Sequence, residues 1–189
     1  MQRIVFIRHG EQDYSDVLSR KYIGHGVDLA TLTENGIKMV EDISFDNRFD
    51  NAELIVSSPY TRTMQTAAII SRNRQLDIRV ELDLQEWIPD LSFQLSSEEE
   101  ILNAENLCTQ YKGECPDDCE VKFEDFTSVF SRAKTALLRY SSYSKIIVVA
   151  HSAHSVVIRR FVSYPNIPHC GIAEFDFDES CQCTEFDYC

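Results

Sequence analysis

The sequence has no apolar run approaching the roughly 18 residues that a membrane span needs. Its 43% hydrophobic and 26% charged residues are the balance of a water-soluble chain that builds a core. A leader is missing too: residues 1–7 carry no long apolar segment and no small-residue cleavage site, so a cytoplasmic chain without a membrane partner is expected. Positive charge is scarce, with 18 Lys and Arg against 31 Asp and Glu and a net charge of −13. That balance argues against nucleic acid and acidic membrane surfaces as partners, while a small anion can still bind where a few arginines converge. The seven cysteines, an odd number, lack the paired C-x2-C spacing of zinc sites, and Cys108, Cys115, Cys119, Cys181, Cys183 and Cys189 are read as reduced thiols. Linkers and internal repeats are also absent. A chain of 189 residues is then expected to form one domain, 1–189, burying roughly 70% of its unfolded surface.

What is present begins with a β-branched and aromatic run at residues 3–7, the pattern of a buried strand, which empties into Arg8-His9-Gly10. Residues 11–30 show no clean period and read as a crossing segment, with His25 between Gly24 and Gly26 at the surface or the rim of a pocket. Thr33 caps a short helix starting near Glu34, with apolar positions at Ile37, Val40 and Ile43. Residues 52–57 form a second buried strand, and Ser58-Pro59 predicts a helix starting there, which places Arg62 about one turn in, at the helix's positive end. Ile78, Val80, Leu82 and Leu84 alternate with polar residues, predicting a strand with one wetted face that ends at Glu86-Trp87. Residues 91–120 are polar and acidic, with a helix start at residues 96–100, and form a variable, cap-like insertion suited to setting specificity. An amphipathic helix over residues 129–140 precedes the most apolar strand, residues 145–150, which empties into His151-Ser152-Ala153-His154 and a further helix through Val157, Ile158 and Phe161. Residues 172–177 alternate and read as an edge strand before a frayed tail.

Strands alternating with helices predict an α/β fold: three α/β/α layers around a mainly parallel sheet. In such sheets ligands gather at the carboxyl ends of the strands. Arg8-His9, Glu86 and His151 follow three strands, and Arg62 starts a helix, so residues distant in sequence can converge on one edge.

Arg8-His9-Gly10-Glu11, Leu32-Thr33 with Gly36, residues 57–62 (Ser-Ser-Pro-Tyr-Thr-Arg) with Gln65-Thr66-Ala67, Glu86 after a strand, and a histidine after Ile147-Val148-Val149 together resemble the histidine phosphatase (phosphoglycerate mutase-like) superfamily. The resemblance covers residues 1–87 and 145–175 and implies a phosphoglycerate mutase-like fold and a phosphomonoesterase that works through a phosphohistidine. It assigns His9 as nucleophile, Glu86 as proton donor to the leaving group, and Arg8, Arg62 and His151 as holders of the phosphate oxygens. Ser15 stands where many members carry asparagine; it is either a hydroxyl donor to phosphate or a solvent-facing loop serine. The end of the strand favours His151 as the second pocket histidine, whereas the spacing of residues 154–159 fits the family motif better and brings His154 in as a phosphate ligand.

The residues support those roles on physical grounds. Attack by imidazole needs a neutral ring, and flanking guanidinium groups disfavour imidazolium while stabilising charge on the transferring phosphoryl oxygens. Glu86 can protonate an alkoxide if burial beside Trp87 or an anionic substrate keeps it protonated. Arginines and histidines carry the compensating charge, so neither metal nor cofactor is expected. A thiol phosphatase fails on spacing, because no cysteine begins a C-x5-R phosphate loop. The expected partner is a phosphorylated small molecule or a phosphoprotein. A phosphoglycerate-type mutase and a non-catalytic phospho-ligand module are the alternatives: the first must shelter a phosphoenzyme from water, and the second has no use for a proton donor.

Overall fold

A computed structural model describes residues 1–152 and 167–180. In chain order it contains β1 (Gln2–Arg8), β2 (Gln12–Asp13), α1 (Ser15–Ser19), a 3-10 turn at Gly24–Leu29, β3 (Thr31–Leu32), α2 (Glu34–Ile43), β4 (Leu54–Ser57), α3 (Thr61–Arg74), β5 (Ile78–Val80), a 3-10 turn at Leu82–Leu84, α4 (Glu98–Gln110), α5 (Phe126–Leu138), β6 (Lys145–Ala150) and β7 (Ile172–Phe177). The main sheet has the order β5-β4-β6-β1-β7; every pair is parallel except the antiparallel edge strand β7, and β2 and β3 form a small second sheet. The predicted α/β class with a mainly parallel sheet is therefore correct.

The inner strands β1, β4 and β6 are buried on both faces, which is why they read as continuous apolar runs. Alternate residues feed two cores. Ile4, Phe6, Val56, Ile146 and Val148 pack with Ala133, Ala136 and Leu137 of α5 on one side. Val5, Ile7, Ile55, Ile147 and Val149 pack with Val40 of α2 and with Ala67 and Ile70 of α3 on the other. Each fully buried Ile or Val contributes about 1.5–3 kcal/mol, which makes the sheet the rigid base of everything at its edge. A third cluster, Trp87, Ala104, Cys108, Cys119, Phe123 and Val129, lies beneath residues 91–120 and ties α4 to α5. There α4 starts at a full capping box, Ser97 with Glu100. Cys108, Cys115, Cys119 and Cys170 are free thiols.

Three expectations change. The helix expected at Ser58 begins at Thr61, because Ser58 still belongs to the sheet edge: its N–H bonds the Val149 carbonyl at 3.0 Å and its hydroxyl is taken by His151. The strand expected from Ile78 to Glu86 stops at Val80, and Val80 and Leu82 are 51% and 70% exposed. Its partner β4 ends at Ser57, and Arg132 draws the following carbonyls into a turn. The crossing segment at residues 11–30 holds β2, α1 and a 3-10 turn, each too short to show a period in sequence. The helix expected through Val157, Ile158 and Phe161 lies outside the described residues.

Candidate active site

The carboxyl ends of β1, β4 and β6 meet at one edge. They are stitched by the His9 N–H to the Ala150 carbonyl (3.1 Å) and by the Ser58 N–H to the Val149 carbonyl. Two glycines set how closely neighbouring elements approach this edge. A Cβ on Gly36 would lie 2.2 Å from the Glu11 carbonyl oxygen, so only glycine lets the start of α2 press against the chain leaving β1. Thr33 caps α2 through the Gly36 N–H at 2.8 Å and donates its hydroxyl to the Glu11 carboxylate. The Gly10 N–H donates to Thr66 Oγ1 at 3.1 Å, tying β1 to α3.

His9 is 3% exposed. Its Nδ1 lies 2.8 Å from the Gly10 carbonyl oxygen, and since a carbonyl only accepts, Nδ1 carries the proton. Nε2 therefore keeps its lone pair, and the Arg62 Nε–H points at it from 3.3 Å. Burial, followed by the Arg62 charge, pushes the imidazole down to about 3 from its usual 6.5. The arginines count as expected, but burial is the larger cause. The ring is neutral throughout the physiological range, the state an attacking nitrogen needs.

Arg62, itself 3% exposed, is steered by Asp28 at 3.4 Å and lies over the Tyr60 ring with 4.9 Å from Cζ to the centroid. Burial and Asp28 push the Tyr60 phenol up, so it remains a neutral donor. Arg8 donates Nη1 to the Ile167 carbonyl at 3.1 Å, while its buried Nε has no hydrogen-bond partner among the described residues. His151, fully buried, sits edge-on to His9 with centroids 5.2 Å apart, and its Nε2 is 2.7 Å from the Ser58 hydroxyl. Glu86 Oε2 lies 3.8 Å from His151 Nδ1 and takes a 3.3 Å hydrogen bond from the Ser152 hydroxyl. Arg8, His9, Arg62, Glu86 and Ser152 all line one pocket of about 990 Å³.

Four of the expected residues, Arg8, His9, Arg62 and Glu86, are thus brought together around that pocket, with His151 packed behind them. Ser15 is not: it is exposed at the start of α1, its N–H bonded to Asp13 at 2.8 Å, and Gln12 and Tyr14 of the same segment reach the pocket instead. His154 lies outside the described residues. His25 is at the rim, its ring 4.5 Å from Phe93 and its Nδ1 3.1 Å from Asp28.

Sequence reasoning passed over several neighbours. His169 lies with its ring centroid 5.5 Å from His9. The signal for it was available, because a strand antiparallel to β1 must begin at the edge where β1 ends. Arg132 and Glu124, a pair 12% and 6% exposed, hold the Glu86 loop: Arg132 donates to the carbonyls of Asp83, Gln85 and Glu86, and Glu124 accepts from the Ile88 N–H. No local pattern marks them, since they act on backbone 36 residues or more away. Among the described residues no three His, Cys, Asp or Glu side chains are grouped to hold a metal ion.

A neutral histidine nitrogen facing two guanidinium groups, with a carboxyl group beside it, is an arrangement competent for phosphoryl transfer to nitrogen. The chain is 25% identical over 169 residues to the adenosylcobalamin/alpha-ribazole phosphatase of Escherichia coli K12, spanning 86% of this chain and 80% of that protein. Its fold superposes on Bacillus stearothermophilus YhfR with a TM-score of 0.71 at 18% identity, covering 99% of this chain and 95% of the other. It likewise superposes on a mycobacterial glucosyl-3-phosphoglycerate phosphatase with a TM-score of 0.69 at 17% identity, covering 92% and 89%. The sequence model of the histidine phosphatase superfamily (branch 1) matches residues 4–188, so the chain belongs to that superfamily.

Proposed function

We propose that the chain is a phosphomonoesterase that needs no metal and passes the phosphoryl group through His9. The observation that carries this reading is the tautomer of His9: Nδ1–H is committed to the Gly10 carbonyl, leaving Nε2 neutral and aimed, with Arg62, at the pocket. In the first step the Nε2–P bond forms and the ester P–O bond breaks, and the protonated Glu86 carboxyl group gives its proton to the departing alkoxide. In the second step water attacks phosphorus and loses a proton to Glu86, the N–P bond breaks, and inorganic phosphate leaves. Arg8 and Arg62 hold the phosphoryl oxygens as negative charge shifts among them, while His151, expected from sequence to join them, is enclosed behind the pocket and bonded to Ser58, where it fixes the His9 ring. The Gly10 carbonyl faces the imidazolium that the phosphorylated ring becomes.

Small phosphorylated molecules are the substrates this reading favours. The named relatives include an alpha-ribazole phosphatase and a glucosyl-3-phosphoglycerate phosphatase, and the pocket is the size that encloses a small ligand. Hydrolysis is preferred over mutase transfer because the exposed Leu18, Phe93 and Leu102 line the pocket and leave its mouth open to water. The test is release of phosphate from an aryl phosphate in the presence of a chelator. Turnover by the wild type and none by His9→Ala is expected; equal turnover by both refutes the assignment.

A further inference from the structure

The pocket changes character away from His9. Its arginines, Arg8 and Arg62, both lie at the phosphate end, and the charged residues lining the remainder are acidic: Asp28, Asp90, Glu98 and Glu105. Asp28 faces Arg62 and His25, and Asp90 accepts the N–H groups of Ser92, Gln94 and Leu95. Glu98 and Glu105 are different. They lie seven residues, or two turns, apart on α4, both are exposed, and neither has an ion-pair partner among the described residues. Between them on α4 the lining is apolar, Ile101 and Leu102, and Phe93 and Leu95 line the same pocket. Leu18, Phe93 and Leu102 are 39%, 37% and 50% exposed, and all three line the pocket.

We propose that the substrate is a phosphomonoester whose alcohol is bulky and apolar or aromatic and carries no negative charge of its own. This rests on the phosphomonoesterase reading above. The cavity of about 990 Å³ far exceeds what a phosphate group fills, so most of it receives the leaving group. Apolar surface on that group is removed from water against Leu18, Phe93 and Leu102, which favours binding in proportion to the area covered. A second anionic group would instead face Glu98 and Glu105 with no described cation nearby to offset them.

Three 2-arylethyl phosphates that differ only at the para position of the ring, carrying methyl, carboxylate or aminomethyl, test this. The two-carbon spacer insulates the leaving oxygen from the substituent, so differences in kcat/KM report on the pocket. The methyl and aminomethyl esters are expected to exceed the carboxylate ester at least tenfold, equivalent to about 1.4 kcal/mol. They should also exceed glycerol phosphate, and Glu105→Lys should narrow the methyl-to-carboxylate ratio at least threefold. Equal use of the carboxylate ester, or a preference for glycerol phosphate, overturns the proposal. Failure of the underlying reading looks different, with no ester hydrolysed at all. In that event the order of the same esters in Kd by calorimetry decides the proposal by the same criteria.

Discussion

Replacing Arg132 with lysine tests whether the Glu86 loop must be held for proton donation. Arg132 sends Nη1 to the carbonyls of Asp83 and Gln85 at 2.8 and 2.7 Å and Nη2 to that of Glu86 at 3.1 Å, while Nε and Nη2 pair with the Glu124 carboxylate at 2.7 and 2.8 Å. An ammonium group preserves the charge opposite buried Glu124, but it cannot span a carboxylate and three carbonyls, because it lacks the planar fork. Hydrogen bonds to a charged group are worth about 1.5–3 kcal/mol each, and water replaces part of what is lost. A net loss of about 2 kcal/mol, read as a fall in melting temperature of roughly 4–8 °C for a chain of this size, is the expected stability effect. Arg132→Met is less informative, since stranding the Glu124 charge would cost about 3–5 kcal/mol and endanger the fold. The catalytic effect should depend on the leaving group. In kcat/KM, which reports the steps up to formation of the phosphoenzyme, an aryl ester departs with little help and should lose no more than about threefold, whereas an alkyl ester, which needs the proton, should lose about tenfold or more. Equal losses for the two esters would show that Arg132 serves the fold alone, and undiminished alkyl turnover in a destabilised variant would remove it from the mechanism.

Glu86→Gln should reproduce that leaving-group dependence of kcat/KM more strongly, about 100-fold or more for the alkyl ester, without the drop in melting temperature; matched losses of kcat/KM on aryl and alkyl esters would deny Glu86 the donor role. Ser58→Ala removes the hydroxyl 2.7 Å from His151 Nε2 and should lower kcat/KM by about two- to tenfold through a misplaced imidazole, which steady-state kinetics on a folded variant will show or exclude. Gly36→Ala drives a methyl group into the Glu11 carbonyl and should destabilise the chain by about 1–3 kcal/mol, measured by denaturant unfolding; an unchanged midpoint would mean that α2 shifts freely. The depressed His9 also makes stability depend on pH. Between 6.5 and about 3 the unfolded chain binds a proton that the native ring refuses, so stability falls on acidification through that window, by about 2 kcal/mol at about pH 5 from this group. His9→Gln has no such proton and should lose less melting temperature from about pH 7 to 5 than the wild type, whereas parallel losses would contradict a ring held neutral by burial.

The sheet and its edge were legible because their signals are local. Runs such as residues 146–149 are apolar on both faces, and a strand that empties into Arg8-His9 or His151 places those residues at the carboxyl edge whatever the rest of the chain does. Two kinds of error have physical causes. Ser58 has the chemistry of a helix cap, but its hydroxyl is drawn instead to a buried histidine 93 residues away, a choice that propensity does not see. Alternation from Ile78 to Leu84 suits a strand, but a strand lasts only as long as its neighbour, and Ser57 ends β4. The Arg132–Glu124 clamp escaped because its importance comes from backbone brought near by topology, and nothing within a few residues announces it; His169 becomes legible only once the strand that follows it is taken as antiparallel to β1. Ser15 shows the opposite case, a position suggested by family pattern that the short helix α1 turns outward to solvent.

The most direct measurement is trapping of the intermediate. Wild-type protein mixed with an aryl phosphate, quenched in alkali and analysed by mass spectrometry of its peptides, should carry one phosphoryl group on His9. That group should be stable in base and lost in acid, and His9→Ala should carry none and show no turnover. Turnover without a phosphorylated His9, or phosphate on another residue, would contradict the account.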